Sequence, residues 1–173
     1  MTFPDSFATA RLRAERLTAD HFDDIRAMDS DPRYMALLGG TRDAAATQAY
    51  LHRNLAHWDE YGHGLWMLRD LEGGGGVVMA GRCVLRHLDV EGTDEVELGY
   101  GFHPKYWGRG LATEIALELL QLGRVRLGRP SIVAITLPEN IGSQRVLTKT
   151  GLVYERDIDH DGVPHRLYRS SST

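Results

Sequence analysis

The chain has 173 residues, a formal net charge of -4 and a single cysteine. That length suits one core, so residues 1–173 are read as a single domain. The charge and cysteine content exclude a surface of clustered Lys and Arg that tracks nucleic-acid phosphates and an internal disulfide framework. No run approaches the roughly 18 apolar residues of a membrane helix, and the opening MTFPDSFATARLRAERL lacks the apolar stretch of an export signal. The expected location is the cytoplasm.

Arg11–Leu17 alternates polar with apolar or small residues, as an exposed strand does. Thr18 then offers an N-cap to a helix carrying Phe22, Ile25 and Met28 on one stripe, which Asp31-Pro32 ends. Gly39-Gly40 reads as a loop, and a second helix runs from Asp43 to about Tyr61. Leu65–Leu68 and Val77–Leu88 are strands of a hairpin turned at Gly73–Gly76. Cys83, among apolar neighbours in the second of them, reads as a small core hydrophobe. Asp89–Asp94 is a polar turn and Glu95–Phe102 the next strand. After Gly110, Leu111, Ile115 and Leu119 recur at helical spacing. Ser131–Leu137 is a strand, Asn140–Thr150 a helix, and Gly151–Asp157 and His165–Arg169 are strands. Helices inserted into a largely antiparallel run of strands predict a mixed α/β sheet.

The segment Gly99-Tyr100-Gly101-Phe102-His103-Pro104-Lys105-Tyr106-Trp107-Gly108-Arg109-Gly110-Leu111-Ala112-Thr113-Glu114 is a strand, a short loop and a glycine-rich helix start. The first N–H groups of a helix lack intrahelical partners and sit at the positive end of its dipole. Glycines let a phosphate reach that backbone, so the segment suits a pyrophosphate. A plain turn is the competing reading. The Gly-Lys-Ser/Thr ending of a nucleotide P-loop is absent, and Thr113 stands where a dinucleotide fingerprint has its third glycine.

These residues resemble the GCN5-related N-acetyltransferase (GNAT) superfamily, and within it the RimJ/RimL-type enzymes. Trp107-Gly108-Arg109-Gly110-Leu111-Ala112 is similar to the superfamily's Gln/Arg-x-x-Gly-x-Gly/Ala, with Trp107 in first place. Trp-Gly-x-Gly-x-Ala-Thr-Glu of the RimJ/RimL branch is reproduced through Glu114. Asn140–Leu152 resembles Asn-x-x-Ser-x-x-Val-Leu-x-Lys-x-Gly-Phe with Leu152 for Phe, and Thr9-Ala10-Arg11-Leu12 resembles the Thr-x-Arg-Leu opening strand. The resemblance implies a mostly antiparallel sheet, flanked by helices and splayed between strands 4 and 5, with acetyl-CoA in the opening. It also implies that Gly101 and Phe102 offer backbone groups to the pantetheine arm. By the same resemblance, the turn at Trp107, with the amides of Gly108, Arg109, Gly110, Leu111 and Ala112, is expected to hold the pyrophosphate, and Asn140 to bond the pantetheine. Asn140 also suits a helix N-cap.

The implied reaction is acetyl transfer from acetyl-CoA to a primary amine: a protein N-terminus, an amino acid or a small amine. Amines are largely protonated at neutral pH, so a proton acceptor helps. Glu97, on the strand leading to the turn, is the candidate base; a solvated strand-face carboxylate is the plainer reading. Where many relatives carry a tyrosine that protonates the CoA thiolate, this chain has Leu147. Ser143, one turn after Asn140, is the candidate to orient that thiolate or a water, with Tyr168 a lesser alternative. His52, His57, His63, His160 and His165 show no metal-ligand spacing, so no metal is expected. Trp58, Tyr61 and Trp66 read as core aromatics before an acceptor pocket. Partners reduce to acetyl-CoA and an amine acceptor, without nucleic acid or membrane, in a possible homodimer. The alternative function is a non-catalytic acyl-CoA-binding module on the same scaffold.

Overall fold

A computed structural model describes residues 3–72 and 79–171. Its elements in chain order are β1 (Ser6–Ala8), β2 (Leu12–Arg16), α1 (Phe22–Ser30), α2 (Pro32–Met35), α3 (Ala44–Tyr61), β3 (Leu65–Asp70), β4 (Met79–Val90), β5 (Thr93–Phe102), α4 (Leu111–Leu127), β6 (Val133–Thr136), α5 (Ile141–Lys149), β7 (Leu152–His160) and β8 (Val163–Ser170). The strands form one sheet in the order β1-β2-β3-β4-β5-β6-β8-β7. Neighbours are antiparallel except β5 and β6. Those two run parallel and pair at one register point, Glu97 with Val133. Counted from the Arg11 strand, they are the fourth and fifth, so the sheet parts where the resemblance put it.

Register fixes what each face carries. Arg82, Val84 and Arg86 of β4 lie opposite Gly101, Gly99 and Glu97 of β5, and side chains alternate across a sheet, so these six share a face. Helices α1 to α3 lie over it: Arg82 reaches Asp29 of α1 and stacks on Tyr50 of α3. The opposite face carries Leu85 and Leu98, both fully buried, under α4. A methyl group added at Gly123 of α4 would stand 2.8 Å from Ile132 Cδ1, so the helix approaches the sheet by having no side chain there.

Several expectations need correction. Strand β1 was not foreseen; three residues of mixed polarity carry no readable period. Asp31-Pro32 ends α1 but also starts α2, because the Asp31 carboxylate accepts from the N–H groups of Arg33 and Tyr34 and Pro32 fits the first helical turn. Asp89–Asp94 is not one turn. Asp89 pairs with Asp94 and Val90 with Thr93 as strand, around Glu91-Gly92, whose φ angles are 52° and 86°. Both central residues are thus left-handed, as the right-twisted strands of a two-residue hairpin require. The expected turn at Gly73–Gly76 lies outside the described residues.

Candidate active site

The glycine turn takes the shape its residues dictate. Gly108 and Gly110 have φ of 73° and 77°, the left-handed region that favours glycine. A side chain at Gly108 would meet nothing within 4 Å, and one at Gly110 only Arg11 at 3.7 Å. Backbone conformation, not internal crowding, demands glycine, and the space in front of both stays open. Gly110 is the N-cap of α4 and makes no side-chain cap, so the amides of Leu111, Ala112 and Thr113 start the helix without intrahelical partners.

A clamp made by the other ends of the sequence motifs fixes this turn. The Glu114 carboxylate accepts hydrogen bonds from Thr9 Oγ1, from Arg11 N at 2.9 Å and from Arg11 Nε at 2.7 Å. Arg11 NH1 donates to the Arg109 carbonyl at 2.8 Å. Burial pushes the Glu114 carboxyl up, but the bonds from Thr9 and Arg11 outweigh it and hold it below its ordinary value. The Arg109 side chain turns the other way, to Asp70 at 3.2 Å and Glu72 at 2.9 Å. Only the backbone of Arg109 therefore takes part in the turn.

Strand β5 leads into the turn along the parting of the sheet. His103 N donates to Ala80 O on β4. Backbone groups alternate sides along an antiparallel strand, so Gly99 and Gly101 also point theirs at β4, while Tyr100 and Phe102 point theirs toward the opening. Trp107 Nε1 donates to the Phe102 carbonyl at 2.7 Å, which leaves the Phe102 N–H and the Tyr100 groups on the open edge. Gly101, a sequence candidate for the pantetheine, has its own amide on the β4 side of the strand. Across the opening, Asn140 is the N-cap of α5, its Oδ1 accepting from Ser143 N at 3.1 Å, and its NH2 group is left for other partners. The Ser143 hydroxyl meets Tyr100 Oη at 3.1 Å. Burial pushes the Tyr100 pKa up to about 12, so it remains a neutral hydroxyl.

Glu97 is buried, and its Oε2 accepts from Arg86 Nε at 2.6 Å. Glu95, on the same face, accepts from Arg169 at 2.8 Å. A solvated strand-face carboxylate describes neither. Further along that side of the sheet, Asp29 of α1 is fully buried and takes Arg42 at 3.0 Å, Arg82 at 2.9 Å and Thr47 Oγ1 at 3.1 Å.

The family model of the acetyltransferase (GNAT) domain matches residues 11–153. The chain belongs to the GNAT family of N-acetyltransferases. It is 29% identical over 143 residues to the uncharacterized protein YkkB of Bacillus subtilis, covering 83% of this chain and 81% of that one. It is 28% identical over 150 residues to the FsC-acetyl coenzyme A-N(2)-transacetylase of Aspergillus fumigatus, covering 84% of this chain and 64% of the relative. Among solved structures, an acetyltransferase from Agrobacterium tumefaciens superposes with a TM-score of 0.82 at 25% identity, over 98% and 95% of the two chains. The ribosomal L7/L12 acetyltransferase RimL, solved with coenzyme A, shares the fold at 12% identity and a TM-score of 0.76, over 99% and 98%.

Among the described residues no three His, Cys, Asp or Glu side chains are placed to hold a metal ion, and no helix is long and apolar enough to cross a membrane. Cys83 is buried, and burial pushes its thiol pKa up. Trp58 and Trp66 are core residues, whereas Tyr61 is exposed and stacks on His87. Leu147 and Tyr168 are both buried. Sequence reading passed over Arg86, Tyr100 and Tyr34. Only period-two counting across the β4–β5 hairpin pairs Arg86 with Glu97, and nothing in the sequence brings Tyr100 to Ser143 or Tyr34 to Gly101.

Proposed function

We propose that this chain transfers the acetyl group of acetyl-CoA to a primary amine, in the cytoplasm. The observation that carries the reading is the opening between β5 and β6, which ends on the uncapped, clamped start of α4. The N–H groups of residues 108–112 hold the pyrophosphate; the Phe102 N–H and the Tyr100 backbone line the pantetheine, with the Asn140 amide opposite. The amine enters on the α1–α3 face, attacks the thioester carbon and loses a proton. Glu97 Oε1, the oxygen not taken by Arg86, accepts that proton through a chain of waters along β5. The Phe102 N–H faces the carbonyl oxygen as it gains charge. The expelled thiolate takes its proton by way of the Ser143–Tyr100 hydroxyl pair; a free thiol's pKa of about 8.5 means a weak donor suffices. Similarity to an acetyl coenzyme A N(2)-transacetylase supports transfer to nitrogen.

The test is CoA-thiol release from acetyl-CoA and longer acyl-CoAs against a panel of amines, amino acids and peptides. Release that depends on both substrates is expected. Tight acetyl-CoA binding without release to any acceptor would favour a sensing module. Gly110→Glu, which puts a carboxylate where the pyrophosphate sits, should abolish acetyl-CoA binding in a folded protein. Unchanged calorimetric affinity would remove the turn from the site.

A further inference from the structure

Tyr34 lies on α2 and is held from several sides. Its N–H donates to Asp31 Oδ1, and the Arg82 guanidinium lies 5.4 Å from its ring centroid. Its hydroxyl rests on β5 at Gly101, where an added methyl group would stand 2.7 Å from Oη. Tyr34 is 3% exposed, yet Oη has no hydrogen-bond partner among the described residues. A buried hydroxyl with no partner is destabilising, and phenylalanine would fill the same space without that cost. Burial pushes its pKa up to about 12, so the group stays a neutral phenol. Among the described residues, nothing uses its one donor or its acceptor lone pairs.

The surroundings say what kind of group arrives. Gly101 immediately precedes Phe102, whose N–H faces the opening, so Oη sits on the α1–α3 face of β5, one residue from the thioester end of the site. Arg42 and Arg82 both bond the carboxylate of Asp29 beside the Tyr34 ring, and the Asp31 carboxylate takes the Tyr34 N–H, so two cations face two anions there. A neutral phenol in a charge-balanced surround has only hydrogen bonds to offer, which suits a neutral N–H group.

We propose that Tyr34 is a contact residue for the acceptor: its hydroxyl oxygen accepts one N–H of the incoming neutral amine and turns the nitrogen lone pair toward the thioester carbon. The proposal rests on the acyl-transfer reading above.

Tyr34→Phe removes one oxygen atom and tests it. Thermal unfolding, acetyl-CoA calorimetry and steady-state kinetics are measured on the full chain, with an acceptor found in the amine panel. The expected result is a roughly three- to tenfold fall in kcat/KM for the amine, the scale of one lost hydrogen bond. Acetyl-CoA affinity stays unchanged, and the Tm of the free protein equals or exceeds that of wild type. A purely structural hydroxyl would instead lower Tm and weaken acetyl-CoA binding along with turnover, and that result overturns the assignment. Unchanged kcat/KM for the amine, beside an active wild type, overturns Tyr34 while leaving acyl transfer intact. Wild type that releases CoA to no amine overturns both.

Discussion

Glu114→Gln probes the clamp that shapes the glycine turn. Glutamine keeps one oxygen, enough for Thr9 Oγ1 and Arg11 N, but turns an NH2 group toward Arg11 Nε and NH2, which both lie 2.7 Å from the present Oε2. Two charge-assisted contacts are lost and donors face donors. Contacts to a charged group contribute about 1.5–3 kcal/mol when buried. Here the Arg11 and Glu114 side chains are 31% and 16% exposed, so solvent screening brings the total to about 2 kcal/mol. At roughly 2–4 °C per kcal/mol for a chain this long, Tm should fall by about 4–8 °C. The freed Arg11 no longer fixes the Arg109 carbonyl, so acetyl-CoA affinity should weaken by about three- to tenfold. The pH dependence adds a check. The folded Glu114 pKa is depressed, so its contribution is complete above the unfolded value near 4.5 and is lost as pH falls through the folded value. The gap between wild type and variant should therefore close in acid. Scanning calorimetry across pH and acetyl-CoA titration measure both effects. A Tm within about 1 °C of wild type at neutral pH, with unchanged affinity, would refute the clamp.

Three further outcomes are expected. Glu97→Gln should lower turnover near neutral pH and recover part of it at higher pH, where more amine is already neutral; a pH profile parallel to wild type would return Glu97 to a structural partner of Arg86. Ser143→Ala and Tyr100→Phe should each lower kcat at saturating substrates with little change in acetyl-CoA affinity, and the double variant should be no worse than either single one. Wild-type kcat in Ser143→Ala, with Tyr168→Phe impaired, would move the role to Tyr168. Finally, His57 donates from Nδ1 to the His63 carbonyl at 2.8 Å and accepts from His87 N at 3.0 Å, so the fold uses its neutral ring. Burial lowers the pKa of His57 and of His63. Their stabilisation is full above the unfolded value of 6.5 and declines as pH drops toward the folded values, by up to about 1.4 kcal/mol per pH unit for each. Denaturant midpoints that stay flat between pH 7 and 5, or that do not flatten in His57→Gln, would contradict this.

The sequence by itself determined the elements whose signals are local. Period-two and helical spacing located most strands and helices, and Asp43 and Asn140 marked helix starts because a cap needs only its own next three residues. The glycine turn was legible for the same reason: Gly108 and Gly110 answer to their own backbone angles, and the helix amides follow directly. Thr9, Arg11 and Glu114 were visible as motif letters, but their meaning was not. That they form one clamp depends on β2 and α4 meeting across about a hundred residues of chain, with Arg11 and Glu114 separated by 103 positions. Tertiary structure alone decided the fate of Glu97, which a strand pattern leaves open between solvent and core. Register with β4 placed Arg86 on it, and α1 to α3 closed over the face. The same closure buried Tyr34 against Gly101, and the divergence of β6 from β5 let Tyr100 reach Ser143. Such contacts depend on which face a helix covers and how far two strands travel together, and those are set by packing the whole sheet rather than by any one segment.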